Sequence, residues 1–162
     1  MRSSTLRLLG FTLVFCLGVG LDQPASARVA CQTLNKQQVA ALFDRWNQAL
    51  QTRQTDKVVA LYAPDATLLP TVQNGPLVGR DKIAPYFDHF LALAPVAKIE
   101  TRVIETGCNV AWDIGLYAFT ENGDQPGSHK QIEARYTFIY APVHGHWLIV
   151  HHHSSAQPVA TH

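Results

Sequence analysis

The chain has no run of Lys or Arg and little charge of either sign. Its 13 Lys and Arg stand against 12 Asp and Glu in 162 residues, a formal net charge of +1. Nucleic acid and anionic membrane surfaces both demand a strong positive field, so neither is an expected partner. Cysteine is scarce, with three in all. No His-Glu-x-x-His or cysteine pattern offers the three ligands that a catalytic zinc usually takes. No Asp or Glu holds a position that singles it out as an isomerase base. There is no internal repeat, no low-complexity segment and no sign of a second domain, and the length suits one.

The long apolar stretch at the start, Leu8 to Leu21, is too short and interrupted for a membrane span. Arg2 and Arg7 precede it, and Ala25-Ser26-Ala27 follows as a small-residue cleavage site. Residues 1–27 therefore read as an export signal, with a mature domain of residues 28–162 in the periplasm or outside the cell. Removing Arg2, Arg7 and Asp22 leaves 11 basic and 11 acidic residues, a net charge of zero. Two cysteines remain, Cys31 and Cys108. In an oxidising compartment they could pair and tie the N-terminal segment to the middle of the sheet, or stay as two buried thiols.

Helical spacing of Leu34, Val39, Leu42, Phe43, Trp46 and Leu50 predicts an amphipathic helix from about Lys36 to Thr52. Thr55 can cap a short second helix to about Tyr62, broken by Pro64-Asp65. Ala66 to Leu69 reads as a short strand and Pro70 to Gly79 as a loop. Asp81 to Leu93 reads as a third helix, provided Pro85 falls in its first turn. Lys98 to Glu105, Val110 to Thr120, Lys130 to Tyr140 and Trp147 to Ser155 read as strands of an antiparallel meander. The expected fold is α+β: a curved antiparallel sheet around N-terminal helices, forming a cone open at one end. Such a cone holds a pocket, apolar inside with polar groups at the mouth.

The run Trp147-Leu-Ile-Val-His-His-His-Ser-Ser155 carries imidazoles and hydroxyls on a rigid strand as it leaves the core. Under strict alternation Trp147, Ile149, His151, His153 and Ser155 share one face, and His152 and Ser154 the other. A bulge would turn His152 and Ser154 inward instead. His151 and His153 could supply two metal ligands, with a third needed from elsewhere. A metal-free arrangement needs fewer coincidences: His153 and Ser155 on one face, Thr71 after the first strand, and Tyr86 on the third helix. Each has a plainer reading too: Thr71 as a turn residue, Tyr86 as a helix aromatic, Ser154 as a strand end bonded to backbone, the histidines as satisfied core or interface groups. Arg135 could pair with Glu133 or Asp113, or orient an anion.

The element order resembles the nuclear transport factor 2-like superfamily. Trp147, Val150, His151, His153 and Ser155 follow a pattern similar to the ending of the association domain of calcium/calmodulin-dependent protein kinase II. Leu61 to Ala66, Leu68 to Thr71, Tyr86-Phe87, Arg135 to Phe138 and His151 to Ser155 together resemble the iota-class carbonic anhydrases. The resemblance spans about residues 36–158. It implies reversible hydration of carbon dioxide, some members being metal-independent, with Zn or Mn as the alternative. It implies a catalytic pocket of Thr71, Tyr86, His153 and Ser155. His151 orients its neighbour, and Arg135, His152 and Ser154 stand close by. It also implies a homodimer. The competing expectation is a non-catalytic module that binds a small carboxylate or drives assembly.

Overall fold

The computed structural model describes residues 30–158. The expected signal, residues 1–27, and the expected new terminus at Arg28 lie outside the described residues. Helix α1 (Lys36–Gln51) starts at an Asn35 cap. Asn35 Oδ1 accepts from the Gln38 amide at 2.8 Å, and Gln38 Oε1 accepts from the Asn35 amide at 2.9 Å. Its buried residues Val39, Leu42, Phe43, Trp46, Ala49 and Leu50 recur every three or four positions and lie in one core with the sheet's inner face. Fully burying side chains such as Phe43 and Leu50 contributes roughly 1.5–3 kcal/mol each.

Helix α2 (Thr55–Val59) is followed by strand β1 (Tyr62–Leu69), the two-residue strand β2 (Leu77–Val78) and helix α3 (Arg80–Ala92). Four long strands follow: β3 (Val96–Gly107), β4 (Val110–Asn122), β5 (His129–Val143) and β6 (His146–Ala156). Among the described residues the strands form one six-stranded sheet, in the order β2-β1-β6-β5-β4-β3. The expected meander is its β3-to-β6 part, and β1 adds to the edge of β6 in parallel. This is the expected α+β architecture, a mostly antiparallel sheet packed around the N-terminal helices.

Three local expectations are corrected. Pro64-Asp65 does not end α2. It lies inside β1, where pairing jumps from Tyr62↔Ile149 to Thr67↔His151, and such a bulge needs no amide from Pro64. Thr55 is the first residue of α2, not its cap; Gln54 takes that place, and Thr55 Oγ1 donates to Asp88 Oδ1 at 2.6 Å. Pro85 is in the second turn of α3, with its ring on the exposed side.

Cys31 and Cys108 are joined, but at the edge of the sheet and not at its middle. The bridge pins the segment before α1 to the β3–β4 turn. There the Asn109 amide donates to the Gln32 carbonyl, and the Gln32 amide to Asn109 Oδ1, each at 2.8 Å.

The feature that positions the site is a bulge in β6. Tyr140 of β5 pairs with Ile149, but Ile139 pairs with His151, so Val150 is the extra residue. Strict alternation fails there, and every side chain beyond it changes face. Ile149 points inward above the bulge, and His152 and Ser154 point inward below it, at 2, 3 and 4 % exposure.

Candidate functional site

Between α1, α3 and the inner face of the sheet lies a cavity of about 10 Å³, room for about one water molecule. Trp46, Thr71, Tyr86, Tyr117, His152 and Ser154 are among its walls. It adjoins a larger vestibule of about 290 Å³ at the cone's mouth, and Thr71, Tyr86, Phe90 and Phe119 line both spaces. The vestibule is mostly apolar. Besides Thr71 and Tyr86, its polar groups are His89, Gln73 and the Glu121–Lys130 ion pair, 3.3 Å long.

His152 is the only imidazole that reaches this cavity among the described residues. Its ring stacks on Phe138 at 4.0 Å and meets Trp46 edge-on at 5.3 Å. Nδ1 lies 2.8 Å from the Tyr62 hydroxyl, which also accepts from Trp46 Nε1 at 3.1 Å. Nε2 is buried and has no protein partner. Burial, then the neighbouring His151 and His153, hold the imidazole well below the usual histidine range, so it is neutral at pH 7. Burial likewise pushes the Tyr62 phenol far up, so it remains a proton donor.

Ser154 carries a second polar chain. The Tyr117 hydroxyl donates to Ser154 Oγ at 2.6 Å, and Ser154 shares a further hydrogen bond with Thr71 Oγ1. Tyr117 is fully buried, which raises its phenol above the usual tyrosine range. Whichever of Ser154 and Thr71 donates to the other, one hydroxyl hydrogen remains unused. That hydrogen is available to an oxygen atom of a small ligand in the cavity. The set favours an oxygen bearing negative charge.

The sequence-based candidates thus divide by the bulge. Thr71 and Tyr86 border the cavity, the latter half-buried with its ring stacked on Phe90. Burial and the Glu121 charge push the Tyr86 phenol up. His153, Ser155 and His151 are corrected: all three lie on the outer face, half-exposed, because Val150 shifts the phase. His152 and Ser154, read as neighbours of the site, occupy its inner wall. Arg135 pairs with neither Glu133 nor Asp113. It is exposed and donates to Ser155 Oγ at 3.1 Å. Tyr62, Tyr117 and Trp46 escaped the sequence reading as site residues, because a buried aromatic in a strand or helix looks like core. The spacing of Tyr117 from Phe119 on one strand face was the available signal.

A zinc or manganese centre does not fit this cavity. It offers a single imidazole nitrogen among hydroxyls. Among the described residues no three His, Cys, Asp or Glu come together as metal ligands.

A separate buried network lies behind Tyr117. Asp113, fully buried, accepts from the Tyr136 hydroxyl at 2.8 Å and faces Arg102 Nη2 at 3.1 Å. Burial raises the Asp113 carboxyl above its ordinary range, while Tyr136 and Arg102 oppose that shift. Burial also works against the Arg102 charge, but Tyr136 and Asp113 outweigh it and raise its pKa. The guanidinium lies 5.2 Å from the Phe43 ring centre.

Comparison with known proteins agrees with this architecture. The calcium/calmodulin dependent protein kinase II association domain family matches residues 35–158. A solved Xanthomonas campestris structure described as such an association domain is 44% identical, with a TM-score of 0.74, over 78% of this chain and 91% of its own. A nuclear transport factor 2-like superfamily protein from Salmonella enterica shares the fold at 18% identity and a TM-score of 0.66, over 77% and 92% of the two chains. So does a nuclear transport factor 2-like protein of Pseudomonas putida at 20% identity and 0.62, over 75% and 85%. No curated protein matches. The chain therefore belongs to the calcium/calmodulin-dependent protein kinase II association domain family, on a nuclear transport factor 2-like fold.

Proposed function

We propose that the cavity hydrates carbon dioxide reversibly to bicarbonate, as an iota-class carbonic anhydrase without an obligatory metal. One observation carries the reading: a neutral His152, its Nε2 without a protein partner, lines a water-sized cavity together with the Thr71–Ser154–Tyr117 hydroxyl chain. The resemblance of the surrounding motifs to that class supports it. The substrate enters through the vestibule. One substrate oxygen fills the water-sized cavity beside His152 and Ser154, and a water held by Thr71 on the vestibule side attacks the carbon. One C=O π pair moves onto the oxygen that faces His152, and the attacking water passes its proton to a second water in the vestibule, which carries it to bulk solvent. Bicarbonate and a proton are the products. Each donor aimed at the developing oxyanion contributes about 2.7–4 kcal/mol in comparable sites. A chain exported to the periplasm and assembled as a homodimer completes the proposal; the family's association-domain description supports the assembly.

Stopped-flow carbon dioxide hydration on purified, exhaustively chelated protein tests the reading. Activity should survive chelation. Thr71→Val, a near-isosteric change, should lower kcat/KM by roughly 10²–10³. Activity lost on chelation and restored by one added metal would overturn the metal-free mechanism, and no activity in either state would overturn the enzyme. The second reading, a carboxylate-binding or assembly module, is favoured by the family itself. It expects saturable acetate binding in the same pocket with no hydration.

A further inference from the structure

The hydrogen bonds around His152 admit one consistent arrangement of protons. Trp46 Nε1 can only donate, and the Tyr62 oxygen accepts from it at 3.1 Å. Tyr62 then has one hydrogen to place. The sole acceptor within reach of its fully buried hydroxyl, among the described residues, is His152 Nδ1 at 2.8 Å. The opposite arrangement, with Nδ1–H donating to Tyr62, would leave the phenol hydrogen buried and unpaired, at a cost of about 1–3 kcal/mol. A neutral imidazole that accepts at Nδ1 must carry its proton at Nε2. Nε2 is the atom that has no protein partner, on a residue that lines the cavity together with Ser154 and Thr71.

From this we infer that Tyr62 is a positioning residue, held by Trp46, that locks His152 as an Nε2–H donor to substrate oxygen. Its action on turnover rests on the hydratase reading; the tautomer itself does not. The consequence is chemical. His152 serves this site as the donor that receives negative charge and not as the base that removes the water's proton. A metal ion would need the Nε2 lone pair, which this tautomer withholds. Two further contacts hold Tyr62 in place. Its ring packs on Phe87 at 5.7 Å, and its backbone carbonyl accepts from Arg80 Nε at 2.8 Å. The strand therefore cannot let the phenol drift without loss of both.

Nitrogen-15 NMR of ring-labelled histidine reads the tautomer directly in the unmodified protein at pH 7.5. His152 should show a proton-bearing Nε2 and a bare, hydrogen-bonded Nδ1. Tyr62→Phe keeps the ring and removes the hydroxyl. It should move His152 toward a mixture of tautomers and lower kcat for hydration by roughly tenfold to a hundredfold. A proton on Nδ1 in the unmodified protein would overturn the inference, and so would an unchanged His152 nitrogen pattern in Tyr62→Phe. If the tautomer is as stated but no hydration is seen, the lock stands and the hydratase reading falls.

Discussion

His152 meets aromatic rings and one hydroxyl, with no carboxylate beside it. Its depressed pKa therefore has a readable sign. The unfolded imidazole takes up a proton near pH ~6.5 and the folded one only well below that. Its contribution to stability is complete above about pH 6.5 and is lost as pH falls below it. His151, lowered by burial and by His153, adds in the same direction. Urea midpoints measured from pH 8 to pH 5 should fall on acidification, and His152→Phe should flatten that fall. The motif itself was legible: imidazoles and hydroxyls on a strand leaving the core, with Thr71 nearby. Which of them face the cavity was not. The one-residue bulge at Val150 is set by pairing of β6 with β5 and β1 together, and strict alternation along one strand contains no trace of it.

Elements hold the site by two less visible devices. At Gly115 a Cβ would collide with the Thr101 carbonyl of the neighbouring strand. Gly115→Ala should therefore cost about 1–3 kcal/mol by pushing β3 from β4, measurable as a lower melting temperature. Asp113 and Arg102 form an ion pair under α1, with Asp113 wholly enclosed. Arg102→Met should cost about 3–5 kcal/mol, because it strands a buried charge, and adding Asp113→Asn should recover part of the loss in a urea titration. Helix α1 and strands β3 to β6 were legible because each repeats its apolar pattern over several turns or pairs. The parallel docking of β1 on β6 was not. It joins segments some eighty residues apart, and nothing local to Tyr62–Leu69 encodes its partner.

For the whole molecule, the order of helices followed by a meander was enough to expect the α+β fold that the solved relatives share. The Cys31–Cys108 bridge closes a separation of 77 residues, spanning α1 to β3. Its reduction should lower stability by about 2–5 kcal/mol. The cavity lies away from this bridge, so a reduced but folded protein should keep its activity. The proposed chemistry uses the inner face of β6, where His152 and Ser154 lie. The direct measurement compares Ser154→Ala with Ser155→Ala in stopped-flow carbon dioxide hydration of chelated protein, each checked for folding by circular dichroism. Ser154→Ala should lose activity by roughly 10²–10³ while Ser155→Ala stays near the unmodified rate. Loss in Ser155→Ala with Ser154→Ala unaffected would contradict the account.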